Sequence, residues 1–321
     1  MMEMEQAQGA LLHRDAAAAD ADTWDRASRQ TLRRHRFFDR LATGVMWTAA
    51  LFLLAMLLLI VGTILYNGLP AVNWRFLTTS SSLTAAGGGI GPQIWVSFYV
   101  LVLTLLFTIP LGLGAAVYLA EYAKPGPFTS TIRFCNEALA SVPSIVFGVF
   151  GSIVLLTMLK LGYSVLSGAL TLTLLNLPLM VRVSEDALRG VPRIFREGSL
   201  ALGGSKWETI RKVVIPTAFS GILTAIVLTS GRIVGETAPL ILTTGTAISP
   251  NAQYSLDPFA TGSTLAVHIW VLKIVGVPGL ADSQQVADGS AAVLLLMMLL
   301  INALAAYLTG RVEKRLGKSG R

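Results

Sequence analysis

Charge is scarce in this sequence. Only 13% of its 321 residues are Asp, Glu, Lys or Arg, while 53% are hydrophobic. A soluble domain carries roughly twice that charged share, and the mean hydropathy here is +0.65. The missing polar surface excludes a water-soluble globular domain and makes lipid the solvent for much of the chain. A lone cysteine, Cys135, excludes an internal disulfide, and with no CxxC or Cys/His spacing around it no metal or redox site is expected. The three histidines, His13, His35 and His268, lie outside the long apolar runs. No nucleophile–base constellation and no Walker glycine loop accompanies them, so the chain is not expected to be an enzyme or to hydrolyse ATP.

The charge that is present is lopsided, with a net of +7. Its basic residues flank apolar runs and form no aromatic-interleaved patch, so membrane lipid is the expected partner and nucleic acid is not. Residues 1–37 are polar and mixed in charge and cannot bury a core. The run that follows, 41–66, is too long for a signal-peptide core and has no small-residue cleavage site after it.

Six uncharged windows reach the roughly 20 residues that cross a bilayer as helix: 41–66, 95–120, 138–159, 161–181, 213–231 and 289–309. The fifth is expected to run on to about Leu242. Continuous rather than alternating hydrophobicity, together with the need to satisfy the backbone internally, selects helices. The expected class is therefore an all-α integral membrane protein with six spans. Lys and Arg concentrate before the first span, in the second and fourth connections and after the last span, which predicts cytoplasmic N and C termini. The expected organisation is a tail over 1–37, a membrane domain over 38–312 and a basic tail over 313–321. The outer connections hold a glycine cluster, Gly87, Gly88, Gly89 and Gly91 before Pro92, and within 243–288 an apolar stretch, 265–277, too short to cross. That stretch is expected to be interfacial or re-entrant.

The cytoplasmic connection 191–216 carries the most information. Pro192 suits a first helical position, and a helix is expected from there to Leu202. Gly203-Gly204 ends it. Ser205-Lys206-Trp207-Glu208 reads as a capping box opening a second short helix, with Trp207, Ile210 and Val214 on one stripe, before Pro216 opens the fifth span. A helix, a glycine hinge and a helix form a rigid knob; an amphipathic helix on the lipid surface is the plainer alternative.

The spacing of Glu197-Gly198-Ser199, Gly203 and Val213-Val214-Ile215-Pro216 resembles the EAA motif of ABC-importer permeases, with Gly198 and Ser199 in place of alanines. Further residues resemble phosphate permeases of the PstA kind: Leu119-Ala120-Glu121-Tyr122, Val142 to Gly148, Leu177-Pro178-Leu179, Arg182, Glu185 to Arg189 and Gly231 to Leu240. The entry to the second span, 91–97, departs from that pattern. The resemblance implies a permease subunit in a bacterial or archaeal plasma membrane. Its expected partners are a cytoplasmic ATPase dimer, a second, PstC-like permease and an outer phosphate-binding protein. ATP and Mg belong to the partner ATPase, and this chain is expected to bind no cofactor. Glu197, Gly203, Ser205, Trp207, Glu208 and Pro216 would form the segment that couples to the ATPase.

The residues alone point to the solute path. Arg232 and Glu236 lie one helical turn apart within a membrane span. An intramembrane charge costs at least about 2.5–3.5 kcal/mol at a helix centre, so it faces a partner or a watery path. Arg232 offers bidentate donors to an oxyanion, and Glu236 can hold the guanidinium when the path is empty; a permanent structural ion pair is the alternative. Arg182, at the inner end of the fourth span, is either an exit-side contact or a positive-inside anchor. Pro143 and Pro178 are expected to kink their helices and shape a gate. Other readings stay open: an importer of another oxyanion or solute, or a secondary transporter independent of ATP, although no internal repeat is visible.

Overall fold

The computed structural model describes residues 39–79, 88–247, 253–275 and 283–317. The N-terminal tail over 1–37, His13, His35, Gly87 and residues 318–321 lie outside them. The chain divides into two units, Met1–Thr63 and Ile64–Arg321. Among described residues the first unit holds only the start of helix α1 (Asp39–Ala71), whose most apolar stretch has no residue buried within the protein. Its leucines and Phe52 are exposed, as suits a rod solvated by lipid.

In the second unit helix is the only regular secondary structure among the described residues. After the short α2 (Trp74–Thr78) comes α3 (Gly91–Tyr122), which opens with Pro92 in its first turn and closes in one widened turn, Tyr118–Tyr122. Then follow α4 (Pro127–Ala140), α5 (Ser144–Met158) and α6 (Val165–Arg189). α7 (Arg193–Ala201) and α8 (Lys206–Thr217) lead into α9 (Phe219–Gly235), α10 (Ala238–Thr243), α11 (Leu265–Ile274) and α12 (Ser283–Gly317). Four of these helices are long and apolar enough to cross a membrane, and six spans result when each of two bent pairs is taken as one.

Those bent pairs correct the expected spans. The third is not one rod over 138–159. Pro143 is extended (φ −57°, ψ 139°), so α4 stops at Ala140 and α5 leaves it at 97°. Proline lacks the N–H a continuing helix needs and pushes the residue before it out of the helical region. The fifth does not begin at Val213 or run to Leu242. α8 meets α9 at 67° across Ala218, just after Pro216, so Pro216 closes the knob instead of opening the span. At the other end Glu236 is extended (φ −73°, ψ 131°) and Pro239 stands in the first turn of a separate helix, α10. The fourth span, by contrast, runs unbroken past Val181 to Arg189, and the last helix continues beyond Thr309 to Gly317.

α6 is the central helix, packed by α3, α4, α5, α9 and α10. Its first amides are satisfied by the 253–264 loop and α10: Val165 N–H donates to Ala260 O (2.9 Å), Leu166 N–H to Pro258 O (2.8 Å) and Ser164 N–H to Thr243 O (3.1 Å). The middle of the bundle packs Val100, Leu172, Leu175, Ile233 and Leu240 together. One end is closed by Val117, Leu188, Ile210 and Val214, the other by Phe76, Ile90, Leu265 and Val286. α11 is thus built into the bundle: Leu265 and Val267 are fully buried, and the Leu265 N–H donates to Ser97 Oγ (2.8 Å). Of the glycine cluster, Gly89 is pressed onto the 76–79 turn, where a Cβ would lie 2.3 Å from the Thr79 carbonyl oxygen.

Candidate functional site

The knob forms as a helix, a hinge and a helix. Pro192 caps α7 from outside rather than starting it, and Leu202 ends it. Gly203 takes φ +85°, and the chain turns as Gly203 N–H donates to Leu200 O (3.0 Å) and Gly204 N–H to Ser199 O (3.1 Å). The capping box is present in both directions: Ser205 Oγ accepts from Glu208 N–H (3.3 Å) and Glu208 Oε2 from Ser205 N–H (3.1 Å). The Ser205 N–H and hydroxyl, with Lys212 beside them, hold the Glu208 carboxyl below the usual glutamate range. Ser199 and Thr209 hydroxyls bond across the hinge at 2.9 Å.

The expected apolar stripe is divided. Ile210 and Val214 are buried against α3, α6 and α9, whereas Trp207 is 56% exposed, facing Tyr118, Tyr122 and Pro110 across an apolar groove. A widened turn over Ile210–Val214 follows Trp207 and changes the helical phase within 210–214. Ile194, Phe195 and Leu202 on α7 are also exposed, as is Glu197, which has no ion-pair partner among the described residues.

Two charge clusters that the sequence did not disclose stand here, one tying the knob to α3 and the other tying α4 to α6. Arg196 of α7 grips Glu121 at the end of α3 with Nε (3.0 Å) and Nη2 (2.7 Å). It also donates to the Leu188 and Val191 carbonyl oxygens at the end of α6 (2.7 and 2.5 Å). Beside it, buried Glu185 pairs with Arg133 of α4 (3.0 Å) and Arg189 of α6 (2.9 Å). Only Glu185–Arg189 carried a local signal, the i,i+4 spacing; Glu121 and Arg196 are 75 residues apart.

Arg182 lies with these groups. It lines a cleft of about 160 Å³ together with Arg133, Asn136, Glu137, Glu185, Asp186 and Arg189. Unlike Arg133 and Arg189 it has no ion-pair partner among the described residues, and it is exposed.

Arg232 stands in the last turn of α9, thirteen residues and therefore about 20 Å from Phe219. Glu236 is no longer on the helix, yet its Oε1 accepts from Arg232 Nε at 3.1 Å. The arginine side chain is 35% exposed and the glutamate 16%. Among the described residues nothing else bonds the guanidinium, so its two Nη groups remain available as donors. Knob and ion pair thus occupy opposite ends of α9. Of the two prolines, Pro143 marks the sharp α4–α5 break, whereas α6 continues through Pro178. Asn136 Nδ2 donates to the Pro178 carbonyl oxygen at 3.2 Å.

The described residues thus form an all-helical bundle with a capped, hinged knob between two spans. Residues 108–318 match the model of the binding-protein-dependent transport system inner membrane component, and the chain belongs to that family. It is the permease subunit of an ABC importer, a multi-pass membrane component that is not itself catalytic. Such a subunit works with an ATPase, a second permease and a binding protein. The chain is 43% identical to the probable ABC transporter permease YqgI of Bacillus subtilis, over 87% of its own length and 97% of the relative's. The phosphate transport system permease PstA of Yersinia pestis is 32% identical over 87% and 92% of the two chains. That of Xylella fastidiosa (strain Temecula1) is 36% identical over 68% and 76%. In fold it resembles the inward-facing MetNI methionine ABC transporter (TM-score 0.53, 20% identity, 70% and 94% coverage). It also resembles an alginate-importing bacterial ABC transporter (TM-score 0.59, 13% identity, 86% and 99% coverage).

Proposed function

We propose that this permease subunit carries inorganic phosphate, forming half of the pathway with a PstC-like second permease and receiving its solute from an outer phosphate-binding protein. The observation that carries the reading is the Arg232–Glu236 pair, partly open to its surroundings, with only one edge of the guanidinium engaged among the described residues. An oxyanion meeting the free Nη edge gains charge-assisted hydrogen bonds in a forked geometry. Glu236 competes for the same guanidinium, which keeps the anion weakly held and releasable. The similarity to PstA permeases over most of the chain supports phosphate as that anion. Arg182, without an ion-pair partner among the described residues in a cleft lined by two further arginines and by Glu137, Glu185 and Asp186, suits an exit-side contact at the other end of the path.

The knob is proposed to face the cytoplasm, with both termini, and to dock into a groove of the ATPase. Its exposed Ile194, Phe195, Leu202 and Trp207 suit a helix-in-groove contact. The apolar edge of a short helix standing off the bundle is more simply explained by a partner than by water.

The test is ATP-dependent uptake of radiolabelled phosphate by vesicles carrying the reconstituted transporter. Arg232→Gln is expected to reduce uptake at least tenfold while the complex still assembles. Full uptake by that variant refutes the path assignment. Uptake of sulfate or molybdate in place of phosphate, delivered by the cognate binding protein, refutes the solute.

A further inference from the structure

We infer that Arg196 is a positioning residue that makes the knob and the inner ends of α3 and α6 move as one body, with the widened last turn of α3 as the hub. The inference rests on reading the knob as the segment that meets the ATPase.

The observations converge on Tyr118–Tyr122. Glu121, its side chain 9% exposed, receives the Arg196 fork from α7. The Leu119 carbonyl oxygen, freed by the widened turn, accepts from Arg133 of α4 (3.4 Å) and from Arg189 of α6 (3.5 Å). Over the ring of Tyr122 lies the Lys206 ammonium of α8, 4.5 Å from its centroid. Four helices therefore hold one turn of a fifth.

Arg196 differs from the other contacts in what it spans. Its fork locks α7 to α3, and the same guanidinium donates to the Leu188 carbonyl, which also accepts the Val191 N–H, and to the Val191 carbonyl just past the end of α6. No other side chain of α7 makes an ion pair among the described residues. A planar guanidinium with five fixed donors can serve a carboxylate and two carbonyls at once; a lysine ammonium cannot hold that geometry. The apolar contacts beneath, Ile210 and Val214, resist separation of the layers but are non-directional. Lys206 over Tyr122 reaches α3 alone, so among these directional contacts Arg196 is the one that orients the knob against both α3 and the end of α6.

The experiment uses the full transporter in vesicles and reads ATP hydrolysis stimulated by loaded binding protein alongside uptake. Arg196→Gln and Arg196→Lys are each expected to keep ATP hydrolysis while lowering solute moved per ATP at least fivefold. In a Cys135→Ser background, Glu121→Cys with Arg196→Cys is expected to show the same loss, and bridging the pair with a bifunctional thiosulfonate is expected to restore coupling to within about twofold. The inference is overturned if Arg196→Lys couples normally, if hydrolysis and uptake fall in parallel in every variant, or if bridging the cysteines abolishes residual uptake, since rigid joining is then harmful. Failure of the underlying reading is separable: a charged residue at exposed Leu202 would then leave stimulated hydrolysis unchanged.

Discussion

Replacing Gly203 isolates one backbone angle. Its φ of +85° lies in the left-handed region, and a Cβ added there would meet nothing within 4 Å, so any effect of a side chain comes from conformation rather than from a clash. Placing an L-residue in that region costs about 1–2 kcal/mol, which is a factor of roughly 5–30 in a local equilibrium. A β-branched residue there is a stronger outlier, whereas asparagine is enriched. The order Gly ≈ Asn > Ala > Val should therefore govern how often the knob loses its turn. Binding-protein-stimulated ATP hydrolysis and solute uptake, measured on the same vesicles, should separate progressively along that series. Gly203→Asn should stay within about twofold of the parent, Ala should lose several-fold in uptake per ATP, and Val should uncouple almost completely. Thermal melting of the whole complex should change little, because the cost is confined to one exposed turn. The reasoning fails if Val couples like Gly, or if Asn is as harmful as Val.

Gly148→Ala should destabilise the subunit by about 1–3 kcal/mol, because the new Cβ would sit 2.8 Å from the backbone Cα of Pro239, where α5 crosses α10; thermal unfolding in detergent checks it. Glu236→Gln should tighten the hold on oxyanion by removing the competing carboxylate while slowing release, read as a lower half-saturating phosphate concentration with reduced maximal uptake. Because its folded carboxyl titrates below the ordinary value, Glu208 stabilises the cap fully above about pH 4.3, and that stability is lost as pH falls through the lowered folded value. Ser205→Ala should return the Glu208 titration, followed by NMR, towards the ordinary range.

Much of the fold was legible because solvation decides it locally. A long uncharged run has to be a helix in lipid, and the windows around α1, α3, α6 and α12 needed no further information. The breaks were harder to place. Pro143 and Pro178 were both expected to kink their helices and Pro216 to open the fifth span, yet Pro178, like Pro110, sits inside a continuous helix. What differs is tertiary. At Pro178 the helix is buried among neighbours and a side chain from α4 bonds the backbone beside it. At Pro143 the chain must turn from α4 to α5. Proline sets a local preference, and packing decides whether it is exercised.

The site divides along the same line. Hinge and cap in the knob are spelled by nearby residues, Gly203-Gly204 and Ser205 to Glu208, because their backbone hydrogen bonds close within five positions. The Arg232–Glu236 pair was legible for the same reason and even survives the end of the helix on which it was placed. Trp207 was placed on one stripe with Ile210 and Val214, but of the three only Trp207 is exposed, a division that a uniform 3.6-residue period does not carry. The Arg196 fork and the Arg133 grip on Glu185 were invisible, since they join residues 75 and 52 apart that only the bundle brings together. In the sequence an arginine beside a membrane span satisfies the positive-inside rule whatever else it does. A count of basic residues therefore orients the chain but cannot separate an anchor such as Arg193 from the latch three residues later; only Glu121, at the end of another helix, makes that distinction.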